Sequence, residues 1–84
     1  MTHVFSGHTW DDYLYWQQTG KKIVKRINKL IKEISRDPFK GAGKPEPLKH
    51  ALAGYWSRRI TESDRIVYKV EGDSLYIAQL RYHY

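Results

Sequence analysis

The chain has 84 residues, 40% of them hydrophobic and 14% aromatic, and carries fifteen Lys and Arg against nine Asp and Glu for a net charge of +6. A chain this short buries roughly 60–65% of its unfolded surface, enough for one two-layer core and one domain across residues 1–84. The absence of cysteine excludes a disulfide scaffold and a Cys-based zinc site, no apolar run is long enough to span a bilayer, and Met1 to Phe5 lacks the basic and apolar regions of a signal peptide, so a soluble cytoplasmic protein is expected.

Val4 and Phe5 suit a short first strand. Thr9 with Asp12 has the spacing of a capping box, which predicts a helix from Thr9 to Gln18. Trp10, Tyr13 and Leu14 fall on one face of it, and Trp10 and Tyr13 are assigned to the core. Gly20 follows as a left-handed helix end. A second helix is marked by Ile23, Ile27, Leu30 and Ile34, widened by Val24 and Ile31 into an apolar stripe. Asp37-Pro38 ends it, because the residue before proline is pushed out of the α region. So short a break at Thr19-Gly20 implies an antiparallel helix hairpin.

Residues 38–47 hold three prolines and two glycines and cannot be helix or central strand. Beyond Ala53-Gly54 the pattern alternates with period two. Tyr55–Ile60, Arg65–Val70 and Leu75–Leu80 are predicted strands joined by short turns, hence an antiparallel meander; Tyr68 is assigned to the core. The order β-α-α-β-β-β indicates an α+β fold, with the helix hairpin packed on a twisted, mainly antiparallel sheet.

The charge is uneven. Residues 21–49 contain ten basic residues and three acidic ones, a net +7, so the rest of the chain sums to −1. Lys21, Lys22, Lys25 and Lys29 line the second helix, and Lys44, Lys49 and His50 follow in and after the loop. A basic surface of this kind favours a polyanionic partner such as RNA. The four histidines are scattered without a metal-binding spacing, and Gly41-Ala42-Gly43-Lys44 does not open a helix, so neither a metal site nor a nucleotide loop is expected.

The remaining candidates fit cleavage of RNA by its own 2′-hydroxyl, which needs a base, an acid and cations around the charged phosphorane. Glu46 sits between two prolines near Lys44 and Lys49; taken alone it reads more readily as a solvated loop acid. His83, with an ordinary pKa of about 6.5, suits proton transfer at neutral pH, or is simply a tail histidine. Arg59 and Arg65 lie on neighbouring strands joined by a short turn, with Arg58 beside Arg59; each could instead pair with Glu62 or Asp64. Trp56, Tyr82 and Tyr84 offer rings on which bases could stack.

The run Trp10-Asp11-Asp12-Tyr13-Leu14-Tyr15-Trp16-Gln17, the loop Gly43-Lys44-Pro45-Glu46-Pro47-Leu48-Lys49-His50, the run Tyr55-Trp56-Ser57-Arg58-Arg59-Ile60-Thr61 and the ending Arg81-Tyr82-His83-Tyr84 closely resemble the YoeB toxins of the RelE/ParE toxin–antitoxin superfamily. The resemblance spans the chain without gaps. It implies the RelE-like fold and cleavage of mRNA in the A site of the 70S ribosome, with no metal or other cofactor. It also implies inhibition by a YefM-like antitoxin; a homodimer is a further possibility, and no membrane partner is expected. Carried over by position, Glu46 is the general base, His83 the general acid and Arg65 the phosphorane-stabilising cation. Arg59 and Lys49 assist, and Tyr84 positions substrate or His83. Lys44, His50, Trp56, Arg58, Tyr82 and the helix lysines are then expected RNA contacts. The competing expectation is a non-catalytic RelE/ParE-fold module that binds gyrase or RNA, which would not need this Glu/Arg/His/Tyr set.

Overall fold

The computed structural model describes residues 1–82. Within them the chain runs β1 (Thr2–Phe5), α1 (Gly7–Thr19), α2 (Lys21–Arg36), β2 (Glu46–Pro47), a 3-10 turn (His50–Leu52), β3 (Trp56–Arg59), β4 (Arg65–Glu71) and β5 (Ser74–Gln79). The strands of these residues form one sheet in the order β1-β5-β4-β3-β2. β1 pairs parallel with β5, and the other pairs are antiparallel. The α+β expectation therefore holds, with one added strand. β2 is a two-residue edge strand inside the proline-rich loop, and an edge is where a residue without an N–H such as Pro47 is tolerated.

The start of α1 corrects the sequence expectation. Ser6, not Thr9, is the N-cap: its hydroxyl accepts the Thr9 N–H at 3.1 Å and lies 2.7 Å from the Thr9 hydroxyl. The buried positions of α1 become Thr9, Asp12 and Trp16, one turn-face away from the expected stripe. Trp10 is 47% exposed and so not core. Tyr13 is partly buried at the core's margin, with its hydroxyl donating to Asn28 Oδ1. Gly20 also departs from expectation. Its φ of −156° is not left-handed, and this single residue ends α1 and begins α2.

The α2 stripe is as expected: Ile27, Leu30, Ile31 and Ile34 are buried. They join Trp16, Ile60, Ile66, Tyr68, Leu75, Ile77 and Leu80 in one cluster. That cluster defines the helix-covered face of the sheet. Residues directly opposite one another in a ladder share a face. Arg58 opposite Ile66 and Trp56 opposite Tyr68 therefore lie on the covered side. Glu46, Ser57, Arg59, Arg65 and Val67 are linked by the same register on the other side. A β-bulge sits in β5: Gln79 faces Val67 and Ile77 faces Tyr68, so Ala78 has no partner of its own. Bulges re-aim side chains, and this one turns Gln79 to the side of Val67, away from the helices. Gly72, with φ of +58°, makes the two-residue turn between β4 and β5.

Candidate active site

Glu46 is the first residue of β2 and stands opposite Ser57 of β3. Arg65 opens β4 and stands opposite Arg59. Sheet pairing thus brings a loop acid and two strand arginines to one face of the sheet, the one turned away from the helices. Arg65 Nη1 lies 3.6 Å from Glu46 Oε1 and 3.5 Å from Ser57 Oγ. The Arg65 side chain is 12% exposed while that of Glu46 is 52% exposed. At 3.6 Å the Glu46–Arg65 contact is an ion pair rather than a hydrogen bond. Glu46 is the exposed partner of this pair and Arg65 the largely buried one. Arg65 pairs with Glu46 and with neither Glu62 nor Asp64, the partners that strand position alone also allowed.

The Glu46 loop is pinned from behind. Gly43 O accepts the Arg59 N–H at 2.7 Å, and Leu48 N–H donates to Tyr55 O at 2.9 Å, one bond on each side of β2. A methyl group on Gly43 would stand 3.1 Å from Arg59 O, and its φ is +84°, so a side chain there would be both crowded and strained. Glu46, Lys49 and His50 share the wall of a cavity of about 380 Å³ with Pro47, Leu48 and Leu52. Lys44, Lys49, His50 and Arg59 are exposed.

Two expected RNA contacts are corrected. Arg58 is fully buried. Its guanidinium donates to the carbonyls of Asp37 and Lys40 at 2.8 Å each and Ala42 at 3.3 Å, and its Nε to the Tyr68 hydroxyl at 3.1 Å. Every arm of the fork is engaged with protein, so Arg58 clamps the loop and does not face RNA. Trp56 lies on the covered face against the core, its ring 4.8 Å from that of Phe39, so it is packing rather than a stacking platform. Lys21, Lys22, Lys25 and Lys29 are exposed on α2, on the far side of the sheet from Glu46 and Arg65, and form a separate basic surface. Arg26 connects the two regions by donating to Arg59 O at 3.4 Å.

Tyr82 is 62% exposed, and its backbone carbonyl accepts the Arg65 N–H at 3.1 Å. This bond joins Tyr82 to the start of β4, the strand that carries Arg65. His83 and Tyr84 lie outside the described residues. Sequence reasoning missed Ser57, Asp64 and Gln79 as neighbours of this surface. Period-two alternation could have found Ser57, which shares the face of Arg59; Gln79 needs the bulge, which no local pattern announces.

A family model described as the YoeB-like toxin of the bacterial type II toxin-antitoxin system matches residues 5–84. Toxin YoeB of Escherichia coli strain K12 is 64% identical over 84 residues, covering 100% of both chains. A solved YoeB/ParE toxin from Agrobacterium tumefaciens is 50% identical, with full coverage of both chains and a TM-score of 0.98. The toxin of Staphylococcus aureus is 47% identical over 100% of this chain and 98% of that one. It has been solved in a heterotetrameric YoeB-YefM complex, with a TM-score of 0.93, and as a dimer, with a TM-score of 0.94. By the whole-length match, the identity and the shared fold together, the chain belongs to the YoeB-like toxins of bacterial type II toxin-antitoxin systems.

Proposed function

We propose that the chain is an endoribonuclease that cuts mRNA in the ribosomal A site by attack of the 2′-hydroxyl on the adjoining phosphate. The observation that carries this is the pairing of the Glu46 carboxylate with the Arg65 guanidinium on the face turned away from the helices, with Arg59 directly opposite Arg65. Glu46 takes the 2′-hydroxyl proton as the oxygen attacks phosphorus. Arg65, with Arg59 and Lys49, stabilises the charge that develops on the phosphorane. The bond to the 5′-oxygen breaks, and His83 supplies the proton that this leaving group needs. The products are a 2′,3′-cyclic phosphate, or its opened 3′-phosphate, and a 5′-hydroxyl. These roles need no metal. Tyr84 positions substrate or His83, while Lys44, His50 and Tyr82 contact RNA and the α2 lysines face ribosomal RNA.

The partners follow the relatives. A YefM-like antitoxin is the proposed inhibitor, as in the S. aureus complex, and a homodimer is the proposed state of the free toxin, as in the S. aureus dimer. Among the described residues no helix is long and apolar enough to cross a membrane, and the proposed place of action is the bacterial cytoplasm, where ribosomes are. The test is primer extension on a defined mRNA, run on translating ribosomes and on naked RNA, each with and without EDTA at levels that leave ribosomes intact. A-site cuts that require the ribosome and survive the chelator are expected. No cut on translating ribosomes, or cuts abolished by EDTA, would overturn the reading.

A further inference from the structure

We propose that Ser57 is a positioning residue for the reaction: its small side chain lets Arg65 reach Glu46 across β3, and its hydroxyl holds the guanidinium there. This rests on the reading above, in which Arg65 stabilises the phosphorane and Glu46 takes the 2′-hydroxyl proton.

β3 lies between β4 and β2 in the sheet. Arg65 and Glu46 therefore rise from strands two spacings apart, about 9–10 Å, and their contact is made above the strand between them. Ser57 stands opposite Glu46 in one ladder and opposite Val67 in the other, while Arg59, two positions on, faces Arg65. Ser57 is thus the diagonal neighbour of Arg65 on the same face of the sheet. Arg65 Nη1 lies 3.5 Å from Ser57 Oγ and 3.6 Å from Glu46 Oε1. One guanidinium nitrogen is shared between the serine oxygen and the carboxylate.

Ser57 is fully buried in the interior of the sheet. Strand positions favour β-branched and aromatic residues, and a buried hydroxyl costs stability unless it is bonded. A valine would suit the strand better, but its branched side chain would stand where the guanidinium crosses. Departures from a local rule of this kind are expected where function needs them. The hydroxyl also has a property that the carboxylate lacks. Glu46 loses its charge when it takes the 2′-hydroxyl proton, and its hold on Arg65 weakens at that moment. Ser57 is neutral throughout, so its oxygen keeps its share of Nη1 while charge develops on the phosphorane. Donors held in place beforehand are effective because they need not reorganise as that charge appears.

The variants are Ser57→Ala, which keeps the space and removes the acceptor, Ser57→Val, which removes the acceptor and fills the space, and Ser57→Thr, which has the shape of valine and keeps a hydroxyl. Each is assayed in single-turnover cleavage on programmed ribosomes, with the ribosome concentration varied, by thermal melt, and by NMR of the Arg65 Nε–H group, assigned from its loss in Arg65→Lys. Ser57→Ala is expected to lose about 10-fold in maximal rate and Ser57→Val on the order of 10²-fold. Both should keep the half-saturating ribosome concentration and a melting temperature close to wild type, and both should shift the Arg65 signal. Ser57→Thr should cleave faster than Ser57→Val. Ser57→Ala decides the matter if Ser57→Val fails to fold. Full-rate cleavage with an unmoved Arg65 signal in Ser57→Ala would overturn the positioning role and leave the nuclease reading standing. So would a rate loss that only follows a lowered melting temperature while the Arg65 signal stays in place. Wild-type protein that does not cut programmed ribosomes would overturn the nuclease reading, and the role of Ser57 in it, even where the Arg65 signal moves.

Discussion

Arg59 and Arg65 stand directly opposite one another across the β3–β4 ladder, two guanidinium-bearing residues where a sheet would ordinarily place neutral or opposite charges. Like charges so placed cost stability. Arg65 pairs with Glu46, whereas Arg59 is exposed. In the proposed reaction the scissile phosphate is the anion that Arg59 and Arg65 would both meet.

The first prediction follows. Arg59→Thr should raise stability by about 0.2–1 kcal/mol while lowering cleavage. The gain should shrink with added salt, because exposed charges are screened within about 10 Å at 0.1 M. Thermal melts of both proteins at two salt concentrations, beside single-turnover cleavage, check it. Equal melting at low salt would mean that the two cations do not repel.

Arg58 is predicted to matter for folding and not for RNA. Hydrogen bonds from a charged donor contribute about 1.5–3 kcal/mol each and are not additive. Arg58→Met leaves the Asp37, Lys40 and Ala42 carbonyls without their donor and should cost about 3 kcal/mol or more. Arg58→Lys should recover little, since an ammonium lacks the planar fork. Urea denaturation measures the cost. Any folded Arg58 variant should retain the wild-type salt dependence of RNA binding, because no phosphate contact has been lost.

The two arginines also show what could be read from the sequence and what could not. The α2 stripe was legible because six apolar residues repeat at helical spacing, and the β meander because period two and turn residues agree. Glu46, Arg59 and Arg65 were legible as candidates, and pairing register alone brings them together. Arg58 was not separable from Arg59, because the carbonyls that bury it come from residues 37–42, distant in sequence. Trp10 reads as core in the sequence, and that Trp16 is the ring buried instead was not legible, for a related reason. α1 is weakly amphipathic, and the bond from Trp16 Nε1 to Leu80 O, which selects the buried ring, crosses from one end of the chain to the other.

Alkaline pH should loosen the loop clamp. Burial pushes the Tyr68 hydroxyl above the ordinary 10.0, while its hydrogen bond with Arg58 pulls the other way. The hydroxyl donates to Pro38 O at 2.6 Å, so the fold needs the protonated form. A group whose folded pKa lies above its unfolded one contributes full stability below the unfolded value and loses it as pH rises toward and through the folded value. Stability should therefore fall above about pH 10. Lys69, raised mainly by its bond to Glu71, acts in the same direction. Tyr68→Phe should be less stable at neutral pH by about 0.5–1.5 kcal/mol for each bond lost, with a shallower alkaline decline. Denaturant midpoints for both proteins across pH 8 to 11 test the sign.

The final prediction separates tail from core. A protein ending at Tyr82 keeps every bond described for the Tyr82 backbone, together with Trp16–Leu80 and Tyr15–Arg81. Its melting temperature should therefore stay close to that of the full chain. Cleavage should fall by about 10²–10⁴-fold, the usual contribution of a general acid or base, since Glu46 would still accept a proton but nothing would supply one to the leaving oxygen. His83→Gln in the full chain should reproduce that loss with Tyr84 in place, which assigns it to the ring rather than to truncation. A substrate whose 5′-oxygen is replaced by sulfur leaves without needing a proton, and on it the two variants should recover most of the wild-type rate. Recovery by His83→Gln but not by Glu46→Gln is the expected pattern, because the base is still required for attack. Full-rate cleavage of ordinary RNA by the shortened chain would remove His83 from the mechanism and leave Glu46 and Arg65 to account for the chemistry.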